Sequence, residues 1–166
     1  MKSEFISSLL PLARKAGEAF RLNPTVILAQ AAIESGWGQS TLSVEHNNFF
    51  GITAYGPKNV WWTGASVELG PHSLSFRVYR DPEASFMDYA RLIRKAYPKA
   101  AEVSFDPAAF ARELSCSKYI SEVNGDNRDA YRRLLVGLVR QIAQKISKEI
   151  NVGSNSFPSR EGAGCV

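Results

Sequence analysis

The stretch from Asn23 to Gly38 constrains this chain more than any other. Asn23 followed by Pro24 is a helix start: a side chain that caps a free N–H, then a residue whose fixed φ suits the first helical position. Val26, Ile27, Leu28, Ala29, Ala31, Ala32 and Ile33 make the helix apolar on nearly every side. A short helix of that kind has to lie inside the molecule, with the rest of the chain wrapped around it. Gly36 and Gly38 break it. Gln30 and Glu34 are its polar exceptions, one helical turn apart and therefore on one face. A polar pair on a buried helix requires a cleft or a partner, because an unpaired buried polar group costs about 1–3 kcal/mol. Glu34 also falls in the last turn, where the negative end of the helix dipole disfavours ionisation. A carboxyl kept protonated towards neutral pH is what a general acid needs.

The remaining segments supply the wrapping. Phe5, Leu9, Leu12, Ala13, Ala16 and Phe20 follow the helical period over residues 4–22, with Pro11 predicting a kink or a restart. Residues 39–45 turn polar, and Asn47-Asn48-Phe49-Phe50-Gly51-Ile52 predicts a loop that packs its aromatics inward and shows amides to a cleft. Residues 53–80 change character: Gly56-Pro57 and Gly70-Pro71 punctuate the β-rich runs Val60–Thr63 and Ser66–Leu69. Beyond them Leu74, Phe76 and Val78 alternate with polar neighbours. Two or three short antiparallel strands are expected there, with Glu68 on one of them. Asp81-Pro82-Glu83 and Asp106-Pro107 each start a further helix. The segment from Ser115 to Asp129, with Tyr119, is polar and loop-like. The last helix is expected from about 129 to 150, with Tyr131, Leu134, Leu135, Leu138, Val139, Ile142 and Ile146 on its apolar side. The expected class is α+β, a mostly helical lobe with a small antiparallel β lobe. With 166 residues the chain suits one domain, placed at 1–150 and followed by a disordered tail at 151–166.

Several functions are disfavoured. The formal net charge of +4 is spread without basic arms, which argues against nucleic acid and is compatible with an anionic polymer such as the bacterial cell wall. No apolar run is long enough to span a bilayer, so no membrane insertion is expected. The N-terminus lacks the apolar block of a secretory signal. Cys116 and Cys165 with His46 and His72 have no metal-ligand spacing, and neither histidine is placed to serve a nucleophile. Gly36-Trp37-Gly38 follows a helix rather than opening one, so it is no phosphate cradle. No metal and no organic cofactor is expected. What stays is a carboxyl on a core helix, a second carboxyl at Glu68 in the β lobe, and flat apolar faces at Trp37, Trp61 and Trp62 on which sugar rings stack. Two carboxyls flanking a cleft are the arrangement of glycoside hydrolysis.

At these residues the chain resembles a known family. Ala29-Gln30-Ala31-Ala32-Ile33-Glu34-Ser35-Gly36-Trp37-Gly38 is similar to the active-site motif of the peptidoglycan β-N-acetylglucosaminidases of glycoside hydrolase family 73. That family includes the hydrolase domain of the flagellar rod-capping protein and several autolysins. In order along the chain, Asn48-Phe49-Phe50-Gly51-Ile52 resembles its Asn-x-Phe-Gly-Ile and Trp62-Thr63-Gly64 its Trp-x-Gly. Ser66-Val67-Glu68 resembles its Thr-x-Glu, with serine for threonine, and Phe76-Arg77-Val78-Tyr79 its Phe-Arg-x-Tyr. The likeness spans about residues 5–146.

The resemblance implies a lysozyme-like fold with a cleft between helical and β lobes. It implies cleavage of the β-1,4 bond between N-acetylglucosamine and N-acetylmuramic acid, with Glu34 as general acid and Glu68 as second carboxylate. The family's cleft tyrosine lies in a Gly-Tyr-Ala-Thr-Asp-Pro segment, which here reads Ser117-Lys118-Tyr119-Ile120-Ser121-Glu122; Tyr119 is the residue that matches. Gln30, Trp37, Asn48, Trp61 and Trp62 are the candidate substrate contacts. Three alternatives stay open: N-acetylmuramidase action, a lytic transglycosylase, and a non-catalytic wall-binding or assembly module. The Gly-Leu-Met-Gln stretch of lytic transglycosylases is absent. The implied partner is the peptidoglycan glycan strand, acted on by a monomer in the periplasm or cell wall. Export would follow a non-classical route, as for a secreted effector with an immunity partner, a phage lysin or a flagellar-type protein.

Overall fold

The computed structural model describes residues 1–117 and 126–154, so Tyr119 and residues 155–166 of the tail lie outside the described residues. In chain order the elements are α1 (Lys2–Phe20), α2 (Pro24–Ser35), α3 (Thr41–His46), β1 (Ser66–Leu69) and β2 (Leu74–Arg77). The helices α4 (Pro82–Ala96), α5 (Pro98–Glu102), α6 (Pro107–Ser115) and α7 (Asp126–Ser154) follow.

Helix α2 is the centre. α1 and α7 pack against it, α4 lies on α1, and α6 lies on α7. Its side chains from Val26 to Ala32 are each at most 2% exposed, Gln30 among them at 0%. Burying each of its larger aliphatic side chains contributes about 1.5–3 kcal/mol, which is why propensity hardly matters here. Asn23 caps it as expected, accepting from the Thr25 N–H at 3.0 Å. Its end is abrupt. Gly36, Trp37 and Gly38 all take left-handed backbone, with φ of 57°, 60° and 78°. Ser35 stitches this turn to the helix, donating to the Ala31 carbonyl at 2.5 Å and accepting from the Gly38 N–H at 2.8 Å.

Proline and aspartate starts hold elsewhere too: Asp81 accepts from Ala84 N–H and Asp106 from Ala109 N–H, each just before a proline. Pro11, by contrast, neither ends nor restarts α1, which runs through it as one element. Pro11 and Ser7, whose carbonyl loses its donor, both lie on the exposed side, where water meets the need. Val60–Thr63 is no strand either. The Asn59 side chain accepts from both Trp61 and Trp62 N–H groups at 2.9 Å and bends the run into a turn. The short α3, capped by Ser40, fills the polar stretch after α2. Helix α7 begins at Asp126 and continues to Ser154, so the first residues assigned to the tail are helical; each residue added to an existing helix gains a bond at little cost.

The β lobe is a hairpin in which Ser66 pairs with Arg77 and Glu68 with Ser75. Residues 52–54 run along the other side of β2: Ala54 N–H donates to Ser75 O at 2.8 Å, Arg77 N–H to Ile52 O at 2.9 Å, and Thr53 bridges Phe76. A second small core of Trp62, Tyr79 and Ala84 underlies this lobe. The lobe is pinned to α4 through Asp88. That carboxylate accepts from Arg77 Nη1 at 2.7 Å, Tyr79 OH at 2.6 Å, Asn59 Nδ2 at 2.9 Å and Arg91 Nε at 2.8 Å.

Candidate active site

Glu34 stands exposed in the last turn of α2, its carboxyl crowded by neighbours, and α7 brings Tyr131 to it. The Gln30 amide, one turn earlier on α2, donates from Nε2 to the Tyr131 hydroxyl at 2.9 Å. The Tyr131 hydroxyl in turn faces the Glu34 carboxyl as a hydrogen-bond donor. Burial pushes the Glu34 carboxyl above the usual carboxylate range, and the hydrogen bond from Tyr131 offsets part of that rise. Burial, then the charge of Glu34, push the Tyr131 phenol far up, so it keeps its proton. The stripe that demanded a partner in the sequence has found one.

Glu34 opens into a cleft of about 250 Å³, bounded by Phe50–Thr53 on one side and by Tyr89, Leu92 and Tyr97 on the other. The first wall is built by Asn48, 1% exposed. Its Nδ2 donates to the Ile52 and Arg77 carbonyls at 3.0 and 2.9 Å, and its Oδ1 accepts from Phe50 and Ile52 N–H groups. Phe50 stacks on Tyr89 with centroids 3.9 Å apart, which seats the wall on α4. In this structure Asn48 shapes the cleft from within rather than showing its amide to it.

The other sequence candidates divide in the same way. Gln30 is wholly buried and meets Tyr131. Trp37 leans edge-on against Phe5, with the Lys2 ammonium 4.9 Å from its ring centre, and packs the end of α2 onto α1. Trp62 is 4% exposed; its indole N–H donates to Ala65 O, and the Arg77 guanidinium covers its ring at 3.9 Å. Trp61 is half-buried against Phe20. None of the three tryptophans lines the Glu34 cleft among the described residues. Glu68 is on the exposed face of β1. It lies two strand spacings, roughly 10 Å, from Ala54, the residue that follows the cleft wall. Tyr119 is outside the described residues; Tyr131 is the tyrosine that the structure sets beside the acid. The sequence carried a signal for it. A tyrosine on an aliphatic stripe needs a partner for its hydroxyl, as the Gln30–Glu34 pair needs one for its own polar atoms. Among the described residues no cluster of His, Cys, Asp and Glu is placed to hold a metal ion, and no helix is long and apolar enough to cross a membrane.

A glucosaminidase family model, described as mannosyl-glycoprotein endo-β-N-acetylglucosaminidase, matches residues 10–144. The chain belongs to the glucosaminidase family. This glucosaminidase chain is similar to the peptidoglycan hydrolase FlgJ of Pseudomonas aeruginosa, 30% identical over 155 residues that cover 84% of this chain and 36% of that protein. It is 32% identical over 129 residues to the FlgJ of Vibrio parahaemolyticus, covering 71% of this chain and 42% of that protein. The chain thus spans well under half the length of these relatives. Among solved structures, the glycoside hydrolase domain of Salmonella typhimurium FlgJ has a TM-score of 0.69 and 27% identity, covering 95% of this chain and 99% of that one. A type VI secretion system effector–immunity complex from Pseudomonas protegens has a TM-score of 0.65 at 21% identity over 88% of this chain and 94% of that one, a likeness of fold. The helical body with its β hairpin is the lysozyme-like fold of family 73.

Proposed function

We propose that this glucosaminidase-family chain hydrolyses the peptidoglycan of the cell wall, cutting the β-1,4 bond after N-acetylglucosamine with Glu34 as general acid. The observation that carries the reading is the Glu34 carboxyl: held by a core helix, raised by burial and open to a cleft. Such an acid gives its proton to the glycosidic oxygen as the bond to the leaving sugar breaks. Positive charge then develops at the sugar ring. Two routes meet it: Glu68 acting from the hairpin through a water, or the acetamido oxygen of the substrate itself, with Tyr131 at hand beside the acid. The names of the FlgJ relatives support peptidoglycan as substrate.

The test is digestion of purified sacculi followed by mass spectrometry of the soluble fragments. The wild-type chain is expected to leave new reducing ends on N-acetylglucosamine, with no anhydro ring. Glu34→Gln is expected to fold normally and release nothing. Clearing by that variant at the wild-type rate overturns the reading, and reducing ends on N-acetylmuramic acid reassign the bond. Glu68→Gln separates the two routes: near-complete loss assigns the second role to Glu68, and retained turnover assigns it to the acetamido group.

A further inference from the structure

Gln30 has a feature that neither packing nor substrate contact explains. Its side chain is wholly buried, its Nε2 meets Tyr131, and its Oε1 has no partner among the described residues. Leaving an amide oxygen unpaired in a core costs about 1–3 kcal/mol, whereas an apolar side chain of the same shape would cost nothing of that kind. An amide here is therefore kept for what it does to Tyr131.

We propose that Gln30 is a positioning residue for the acid, whose amide turns about its last torsion so that Tyr131 can donate to Glu34 when it is ionised and accept from its O–H when it is protonated. With Glu34 ionised, the carboxylate accepts from the Tyr131 O–H, and the Tyr131 oxygen accepts from Gln30 Nε2. With Glu34 protonated, the carboxyl donates to the Tyr131 oxygen, and the displaced hydroxyl hydrogen needs an acceptor. A half turn of the Gln30 amide puts Oε1 where Nε2 was and supplies it. The terminal torsion of a glutamine is broad and roughly two-fold, so the two orientations occupy the same space. Each leaves one amide atom without a partner among the described residues, so the turn loses no hydrogen bond on balance. A general acid passes through both protonation states in every cycle; a fixed acceptor serves only the protonated one, and a fixed donor meets the protonated carboxyl at its carbonyl oxygen but leaves the acidic proton unheld. Among the described residues, the other titratable groups around the trio are Tyr89 of α4, buried and within electrostatic reach of Glu34 and Tyr131, and Tyr97 at the cleft wall. Both phenols are pushed upward by burial and stay neutral, so neither competes for this role.

The inference rests on Glu34 being the acid, and the experiment keeps the two apart. Gln30→Met, Tyr131→Phe, the double variant and Glu34→Gln are assayed together on soluble glycan strands, with thermal melting as the check on folding. Gln30→Met is expected to melt cooperatively and to lose roughly 10- to 100-fold in kcat, as misplaced catalytic groups do, with KM changed by no more than about twofold. Because Gln30 acts through Tyr131, the double variant is expected to be no slower than Tyr131→Phe alone. Losses that multiply, a rise in KM at unchanged kcat, or full activity in Gln30→Met each overturn the inference. If Gln30→Met does not fold, Gln30→Glu replaces it: its protonated form offers donor and acceptor, its ionised form only an acceptor. Activity that falls faster than wild type as pH rises supports the inference, and a profile parallel to wild type overturns it. An active Glu34→Gln would overturn the proposed function itself, while an inactive one with multiplying losses in the other variants overturns this inference alone.

Discussion

Arg77 Nη1 lies 2.7 Å from Asp88 Oδ2 where the two side chains are 5% and 0% exposed. The same guanidinium donates to the Thr53 carbonyl at 3.2 Å and to the Tyr55 carbonyl, and its flat face covers Trp62. One side chain thus ties the cleft-wall segment, the core of the β lobe and helix α4 together.

Asp88→Asn is expected to destabilise the chain by about 3–5 kcal/mol, because it leaves the Arg77 charge buried without its counter-charge. Urea unfolding at neutral pH measures this. Burial alone would raise the Asp88 carboxyl, but hydrogen bonds from Tyr79 and Arg91 and the charges of Arg77 and Arg91 outweigh it and hold it below its ordinary 3.8. A depressed carboxyl contributes stability that is present above its unfolded value and lost as pH falls through the folded one. The difference between wild type and Asp88→Asn is therefore expected to narrow below about pH 4. A constant difference down to pH 2 would contradict this.

Glu34 has the opposite sign. Its raised folded value means that the protonated form is the better-tolerated one, so its contribution is full below the ordinary value of 4.5 and declines as pH rises through the folded value. Glu34→Gln, which cannot ionise, is expected to match wild type in melting temperature at pH 4 and to exceed it near neutrality. Equal melting curves at both pH values would show that the acid carries no such strain.

The pH–rate profile gives a separate measure of Tyr131. Activity that needs a protonated Glu34 falls as pH rises through its raised value. Among the described residues, Tyr131→Phe removes the hydrogen bond that lowers that value and leaves burial to raise it. The alkaline limb is expected to move to higher pH in this variant, while its maximal rate drops. A limb that stays put or moves down would dissociate Tyr131 from the acid.

The turn after α2 predicts a ranking. A Cβ at Gly38 would come within 3.2 Å of Phe5 Cδ2 and would also strain a φ of +78°, whereas one at Gly36 meets nothing within 4 Å and strains a φ of +57° alone. Each left-handed non-glycine residue costs roughly 1–2 kcal/mol, so both alanine variants are expected to melt below wild type, Gly38→Ala by more. Thermal melting of the pair decides it.

Much of the frame was legible in the residues. The central helix could be read from Asn23-Pro24 and an all-apolar run, because capping and burial act locally and point the same way. The helices starting at Pro82 and Pro107 were legible for the same reason. Val60–Thr63 misled because strand preference was judged without the Asn59 side chain, which captures two backbone N–H groups and turns the run. Trp61 and Trp62 were legible as aromatic mass but not as to which side they face, since one residue of rotation separates a groove wall from a core. The pairing of Tyr131 escaped because its partner Gln30 lies 101 residues away on α2, and sequence periodicity reports which face is buried without naming what is buried opposite.

Helix α2 spans 12 residues between a capped start and a turn of three left-handed residues. Both ends are locked, so the helix can neither slide nor grow without dismantling one of them. Each residue inserted within it would rotate everything beyond by about 100°. With the insertion between Gln30 and Glu34, the carboxyl would turn away from Tyr131 while Gln30, upstream, kept its place. The pairing of Glu34 with Tyr131 is thus metered by a residue count, and a single inserted alanine is expected to abolish the proposed chemistry as fully as removing the carboxyl.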